Sequence, residues 1–396
     1  ISSGPFRLDP GASNEIVIGV PWVRPPKGTY PCPKFTLLQK ADDKAQALFD
    51  NCFAILEGPP APDVEVVEMD KELVLALDNT SEIETYQIKD PTISAQGYAD
   101  SLYRFLGYKI YQVQNSQVTT QELNDASKAR LIAQVDLKDN VTKLINYNYD
   151  PILESDVPEL MVDGNNAGIK HTFQVLTDAF ATGDNRLVNH KTYYFTVISY
   201  AYNGYTDTAG NILQKQPYLE GRKNIKVYSA IPHIVSPEDF GMTLNSKYGD
   251  GPVLTRQEGS GNGGQYDILT DDAVKNILAG NSLHPSYAGA WGPVSVKVYD
   301  PKKVPVGNFE VGILDSASLP SGFPIGKDSA YWYIKNLTDG TTLYADRNIN
   351  QNNEQLFPDW GMSVYIEQVG YPGPNTIDGG FLGSDITYSD PTKQWL

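Results

Sequence analysis

Cysteine is nearly absent from this chain. Cys32 and Cys52 are the only two. A structural zinc site needs about four ligands, so cysteines alone cannot build one. The pair forms at most one disulfide, and only in an oxidising compartment with suitable geometry. Histidine is scarce as well. His171, His190, His233 and His284 stand far apart, none at metal-ligand spacing to another, so each reads as a surface or structural residue. No apolar run approaches the roughly 20 residues a membrane helix requires, so no membrane insertion is expected. Basic residues are in deficit: Lys and Arg number 31 against 48 Asp and Glu, a net charge of −17. That balance repels phosphate backbones and anionic lipid heads, which argues against nucleic acid or membrane-surface binding.

Catalytic signatures are missing too. No G-x-S-x-G, H-E-x-x-H or C-x-x-C occurs. Gly259-Ser260-Gly261-Asn262-Gly263-Gly264 satisfies G-x-G-x-x-G. A dinucleotide site needs a strand before it and a helix opening after it, and here a polar loop precedes the glycines and a strand-like run follows. The stretch therefore reads as a flexible loop. Gly322–Lys327 ends Gly-Lys, but Asp328 stands where a phosphate loop requires Ser or Thr. No cofactor is expected. Calcium is the one ion with suitable oxygen ligands, at the acidic, glycine-rich loops Asp163-Gly164-Asn165-Asn166 and Asp250-Gly251. Neither loop has EF-hand spacing, and turn chemistry accounts for the same residues.

What the chain does have is tyrosine (25), glycine (34) and proline (27), a composition that favours strands and turns over helix. The organising stretch is Lys191–Tyr205, KTYYFTVISYAYNGY. Tyr193, Phe195, Val197, Ser199 and Ala201 alternate with Tyr194, Thr196, Ile198 and Tyr200, a period-two strand signal closed by Asn203-Gly204. A strand so long and aromatic is expected to be central, because an exposed edge of that kind would aggregate. The run Leu73–Leu77, Tyr103–Gln114, Ala129–Leu137, Leu144–Tyr149, Ile169–Leu176 and Lys223–Ser229 also read as strands. Helices are few: Asp42–Phe53, with Ala45, Leu48, Phe49 and Cys52 on one face and Asp42 and Asp43 in its first turn, and Asp271–Ala279, with Thr270 as N-cap and Gly280 after it.

Tyr193 and the alternation after it resemble strand F of a fibronectin type III domain. Leu73–Leu77 resembles its strand B, with Leu77 where the family usually has tryptophan, and Tyr103–Gln114 fits strand C. The resemblance implies an immunoglobulin-like sandwich in which Tyr193 bonds back to nearby backbone as a tyrosine corner. The expected architecture is all-β: tandem fibronectin type III or immunoglobulin-like β-sandwich modules with one or two short helices in connecting segments.

Four segments and one linker follow. Residues 1–57 look like the C-terminal tail of an upstream module, a strand plus helix 42–53. The proline-rich stretch 57–64 reads as a stiff linker. Residues 63–232 form the type III-like sandwich, with insertions at 80–100 and 150–168. Residues 238–289 are a mixed connecting segment with a short helix at 271–279. Residues 290–396 form a second β-sandwich, incomplete at its C-terminus, in which 293–314 holds two strands about a Pro-Val-Gly-Asn turn and Asp339-Gly340 closes a hairpin. The start at Ile1 and the end at Trp395-Leu396 suggest a piece of a larger precursor.

GPFRLDPG with NEIVIGV, the helix ADDKAQALFDNCF, EGPPAPDV before a sandwich, and PVSVKVYDP together resemble the multidomain surface and secreted proteins that Bacteroidetes export by the type IX route. That resemblance implies an extracellular, cell-surface protein. It also implies O-glycosylation at Asp-Ser/Thr followed by a small or apolar residue, a motif matched at Ser101, Thr208, Ser316 and Ser329. The function expected is a non-catalytic structural or interaction protein, self-assembling or held in an outer-membrane complex. One alternative is a carbohydrate-binding module, with aromatics around Tyr331-Trp332-Tyr333 or Trp291 stacking on sugar rings. Another is a hydrolase whose acid–base pair only the fold brings together.

Overall fold

The computed structural model describes residues 10–11, 18–24, 35–50, 56–90, 101–204, 215–238, 240–251, 270–281, 294–314, 331–345 and 354–366. Among them the protein is all-β and sandwich-like, with antiparallel sheets and few short helices.

The N-terminal group of strands begins with a hairpin. β1 (Asp63–Met69) and β2 (Glu72–Asp78) turn about Asp70 and Lys71. Lys71 has φ 54, and Asn189 clasps this turn by accepting the Lys71 N–H at 2.8 Å and donating to Asp70 Oδ1 at 2.7 Å. β8 (Thr172–Val175) pairs with β2 to complete a three-stranded sheet. The facing sheet is built on β4 (Leu102–Val113) and β9 (Tyr193–Tyr202). β3 (Gln87–Lys89) and β5 (Ala129–Asp136) join β4, while β10 (Tyr218–Glu220) and β11 (Val227–Ala230) join β9. β9 is therefore central, as its aromatic run requires. Leu73, Leu75 and Leu77 of β2 meet Tyr108, Ile110, Phe195 and Val197 to form the main core. Gly107 sits at a bulge in β4, where any Cβ would collide with the Val135 carbonyl.

Between β5 and β8 runs a separate hairpin, β6 (Lys143–Asp150) and β7 (Ser155–Asp163). β7 falls where an irregular insertion was expected. α2 (Thr80–Glu84) and β3 likewise order part of the other expected insertion. The stretch expected to be a linker is docked. Ser199 Oγ lies 2.7 Å from the carbonyls of Pro59 and Pro60, and Ala61 N–H donates to Lys223 O at 2.9 Å.

The C-terminal group holds two three-stranded sheets, β12 (Val294–Val298) with β17 (Met362–Ile366) and β16 (Glu354–Phe357), and β13 (Phe309–Leu314) with β14 (Tyr331–Asn336) and β15 (Thr342–Tyr344). β14 and β15 form the hairpin expected at Asp339-Gly340. β12 and β13 do not pair with each other, because each is taken into a different sheet. Trp332, Ile334, Phe357, Trp360 and Val364 fill the core between them. Residues 249–250 bond to Val298 on both sides, so the connecting segment adds to the edge of β12.

α1 (Thr36–Asp50) starts earlier than its acidic pair suggested. Asp42 and Asp43 lie mid-helix, and Leu48 and Phe49 of its apolar face are exposed. α3 (Asp271–Leu278) is capped as expected: Thr270 Oγ1 accepts the Ala273 N–H at 3.2 Å, and Gly280 takes φ 70.

Candidate functional site

The β2 sequence ELVLALD is apolar on both faces, and the fold uses both. One face lines the main core. The other, through Val74 and Ala76 with Val67 and Met69 of β1, packs against Val235 and Tyr299, flanked by Leu244, Tyr248 and Leu356. This second core joins the two strand groups.

Beside it lies a buried polar network. Glu354 opens β16, and its carboxylate is buried. It accepts the backbone N–H groups of His171 (2.8 Å) and Thr172 (3.1 Å) and the hydroxyls of Thr172 (3.0 Å) and Ser363. Lys297 Nζ pairs with it at 2.7 Å. Burial pushes the Glu354 carboxyl up, but Lys297 and the Ser363 hydroxyl outweigh that and hold it at about 2. Burial pushes the Lys297 amine down, and Glu354 reverses this and raises it. Lys297 also reaches Tyr248 Oη at 3.2 Å.

His171 extends the network into the first sandwich. Its Nδ1 meets the Glu354 backbone carbonyl, and its Nε2 lies 2.5 Å from Glu84 Oε1 on α2. Both ring nitrogens thus face oxygens, an arrangement met by a doubly protonated ring or by a proton held on Glu84. Tyr108 Oη donates to the same Glu84 oxygen at 3.0 Å. A cleft of about 140 Å³ opens beside this cluster, lined in part by Asp78, Asn79, Thr80, His171 and Glu354.

The types of side chain present suit acid–base chemistry, but the Glu354 carboxylate is already occupied. A carboxylate offers about four lone-pair sites, and Glu354 already serves two amides, two hydroxyls and an ammonium. It has no site left for a proton from a substrate. The network fixes backbone at the start of β8 to the C-terminal sheet.

A second buried cation lies under the hairpin. Lys109 Nζ donates to Met161 O at 2.6 Å and sits 4.6 Å from the Tyr218 ring centre. Burial pulls its amine down to about 8, partly offset by Glu220.

The residues singled out from the sequence fall in separate places. Tyr193 Oη accepts the Val188 N–H at 2.9 Å, tying the start of β9 to the loop before it. Ser101 precedes β4 and is buried, so a glycan there would need local opening. Thr208, Ser316, Ser329, Cys32, Cys52, His284 and Trp291 lie outside the described residues. In the first calcium loop, Asn166 Oδ1 accepts the Asp139 and Asn140 N–H groups at 2.9 and 2.8 Å, and Asp136 Oδ1 accepts the Asn166 N–H at 3.1 Å. In the second, Asp250 Oδ2 accepts the Lys247 N–H at 2.8 Å. The Asn166 and Asp250 side-chain oxygens serve turns, and Asp163 Oδ1 faces Lys143 Nζ at 3.6 Å. Among the described residues no group of three or more His, Cys, Asp or Glu is placed to hold a metal ion. Trp332 points into the core and Tyr333 outward.

The Glu354 network was not visible in the sequence, since its members are up to 270 positions apart, from Glu84 to Glu354. The one available signal was a lone glutamate opening a short apolar strand, which period-two patterning does not flag. No protein-family model matches the chain, and no curated protein matches it either.

Proposed function

We propose that this chain is a non-catalytic structural or interaction protein of the bacterial cell surface, built as β-sandwich modules that act as one stiff unit. The observation that carries this reading is the junction: β2 buries both faces, and Glu354 of the C-terminal group holds the backbone of β8 in the N-terminal group. A chain of modules that transmits or resists load needs joints of this kind. The strand order and the Tyr193 back-bond support the fibronectin type III-like reading of the first sandwich. Secretion by the type IX route, glycosylation and association with copies of itself or with an outer-membrane complex belong to the same proposal. Light scattering behind a sizing column, over a range of concentrations, tests assembly. A mass rising with concentration supports self-association. A constant mass near 43.6 kDa leaves only heterologous partners.

A carbohydrate-binding role is the second reading, and one observation favours it. On the outer face of β13–β15, the Tyr333 ring lies over Gly312, and Tyr344 stands 6.3 Å away at 53°. Glu310 accepts the Tyr333 hydroxyl at 2.7 Å. A ring lying flat on a sheet offers its outer π face for stacking. Retention on insoluble polysaccharide that Tyr333→Ala and Tyr344→Ala abolish supports this reading. Passage of the intact chain through a panel of such matrices excludes it.

A further inference from the structure

Among the described residues, the apolar core under the β6–β7 hairpin is built on one of its faces. Leu144 and Val162 join Leu106, Tyr200 and Tyr218 beneath it. Its outer face pairs Ile145 with Leu160, Tyr147 with Pro158, and Tyr149 with Asp156. Ile145, Tyr147 and Leu160 are 38%, 43% and 56% exposed. Adjacent apolar cross-strand pairs left in water mark an interaction surface more often than isolated exposed residues do. Pro158 removes a backbone donor from β7, which blunts strand addition and leaves the side-chain face as the docking element.

The chemistry of the occupant is set by charge and by what already sits on this face. Residues 143–163 carry five carboxylates (Asp150, Glu154, Asp156, Glu159, Asp163) and one lysine, Lys143. The row nearest the turn is already covered by cations. Lys40 of α1 lies 4.0 Å from the Tyr149 ring centre, and Lys215 pairs with Asp156 at 2.6 Å. The rows of Tyr147 and Ile145 continue the same face with no cation over the Tyr147 ring among the described residues, and the row beyond them is the Lys143–Asp163 ion pair at 3.6 Å. A second copy brings a chain of net charge −17 and an identical acidic hairpin, so like charges meet.

We propose that the outer face of the β6–β7 hairpin docks a protein segment that alternates basic and apolar side chains, its lysines or arginines continuing the contacts Lys40 and Lys215 begin. This rests on the reading of the chain as an interaction protein and names the kind of partner. The probe is a short fluorescent peptide alternating lysine and valine, with a glutamate–valine peptide as control, titrated into the full chain by anisotropy. The lysine peptide is expected to bind, the control not to. Ile145→Ser with Leu160→Ser should weaken binding about ten-fold, and added salt should weaken it further. Because both positions are exposed, the variant is expected to melt with the parent. Asp163→Asn, which also releases Lys143 from its ion pair, and Glu154→Gln remove negative charge while leaving the apolar pairs intact, and each should weaken binding of the lysine peptide. Binding unchanged by all these substitutions, or equal binding of both peptides, overturns the inference. So does self-association that the double serine variant abolishes while the lysine peptide fails to bind. A hydrolytic activity in the purified chain would instead overturn the interaction reading and leave the peptide result standing.

Discussion

Glu354 of β16 accepts the backbone N–H of His171, at the mouth of β8, at 2.8 Å. The two residues belong to different strand groups and are 183 positions apart. One buried carboxylate therefore ties the C-terminal sheets to the first sandwich, beside the apolar core that joins the two groups.

Removing it leaves the partly buried Lys297 beside two hydroxyls without its anion. Glu354→Ala should destabilise by about 3–5 kcal/mol, the usual effect of breaking one side of a buried pair. Glu354→Gln keeps some amide contacts and should lose less. Glu354→Leu with Lys297→Met should recover much of the difference, since apolar replacement of both partners is often near neutral. Urea unfolding of the four proteins checks the order. Equal stability of wild type and Glu354→Ala would deny the network any role.

Acid should weaken the same joint. The Glu354 carboxyl is held at about 2, below its ordinary value of 4.5. A depressed carboxyl contributes stability that is complete above about 4.5 and lost as pH falls towards 2. Melting temperature should drop through that window in the wild type, with a shallower slope in Glu354→Gln. Parallel slopes would place the acid sensitivity elsewhere.

Tyr299 fills the joining core with its ring, yet its buried hydroxyl has no hydrogen-bond partner among the described residues. Tyr299→Phe should be neutral or stabilising by about 1 kcal/mol, because it removes an unsatisfied polar atom. Tyr299→Ala opens a cavity and should lose about 3–5 kcal/mol. A large loss in the phenylalanine variant would mean that the hydroxyl is bonded.

Much of this fold is legible in the sequence, for identifiable reasons. The run Leu73–Leu77 is apolar without alternation, the mark of a strand covered on both faces. Asp339-Gly340 and the capped helix at 271 rest on local turn and cap chemistry that tertiary context leaves alone. The misreadings have causes too. Pro158 broke the pattern of β7. Asp42 and Asp43 imitated a first helical turn. Val294–Val298 and Phe309–Leu314 read as neighbours because they are close in sequence, whereas pairing was decided by Met362–Ile366 and Tyr331–Asn336. His171 read as a bland lone histidine because Glu84 and Glu354 come to it from both sides through long-range contacts.

Lys109 offers a test at alkaline pH. Burial brings its amine to about 8 from 10.5, so the unfolded chain binds more protons between those values. Stability from this group rises with pH from about 8, and the wild type should gain on Lys109→Met over that range. Above pH 10 the buried tyrosines oppose the gain, since burial holds Tyr86 at about 12 and ionising them favours the unfolded chain. A wild type that loses stability steadily relative to Lys109→Met between pH 8 and 10 would contradict this assignment.

The most direct test of a stiff two-group unit is scanning calorimetry of the full chain beside Glu354→Ala. The account predicts one cooperative transition in the wild type and two separated transitions in the variant, the C-terminal group melting first. Two independent transitions already present in the wild type, unmoved by the substitution, would show that the strand groups are not locked together and would remove the basis for a stiff junction.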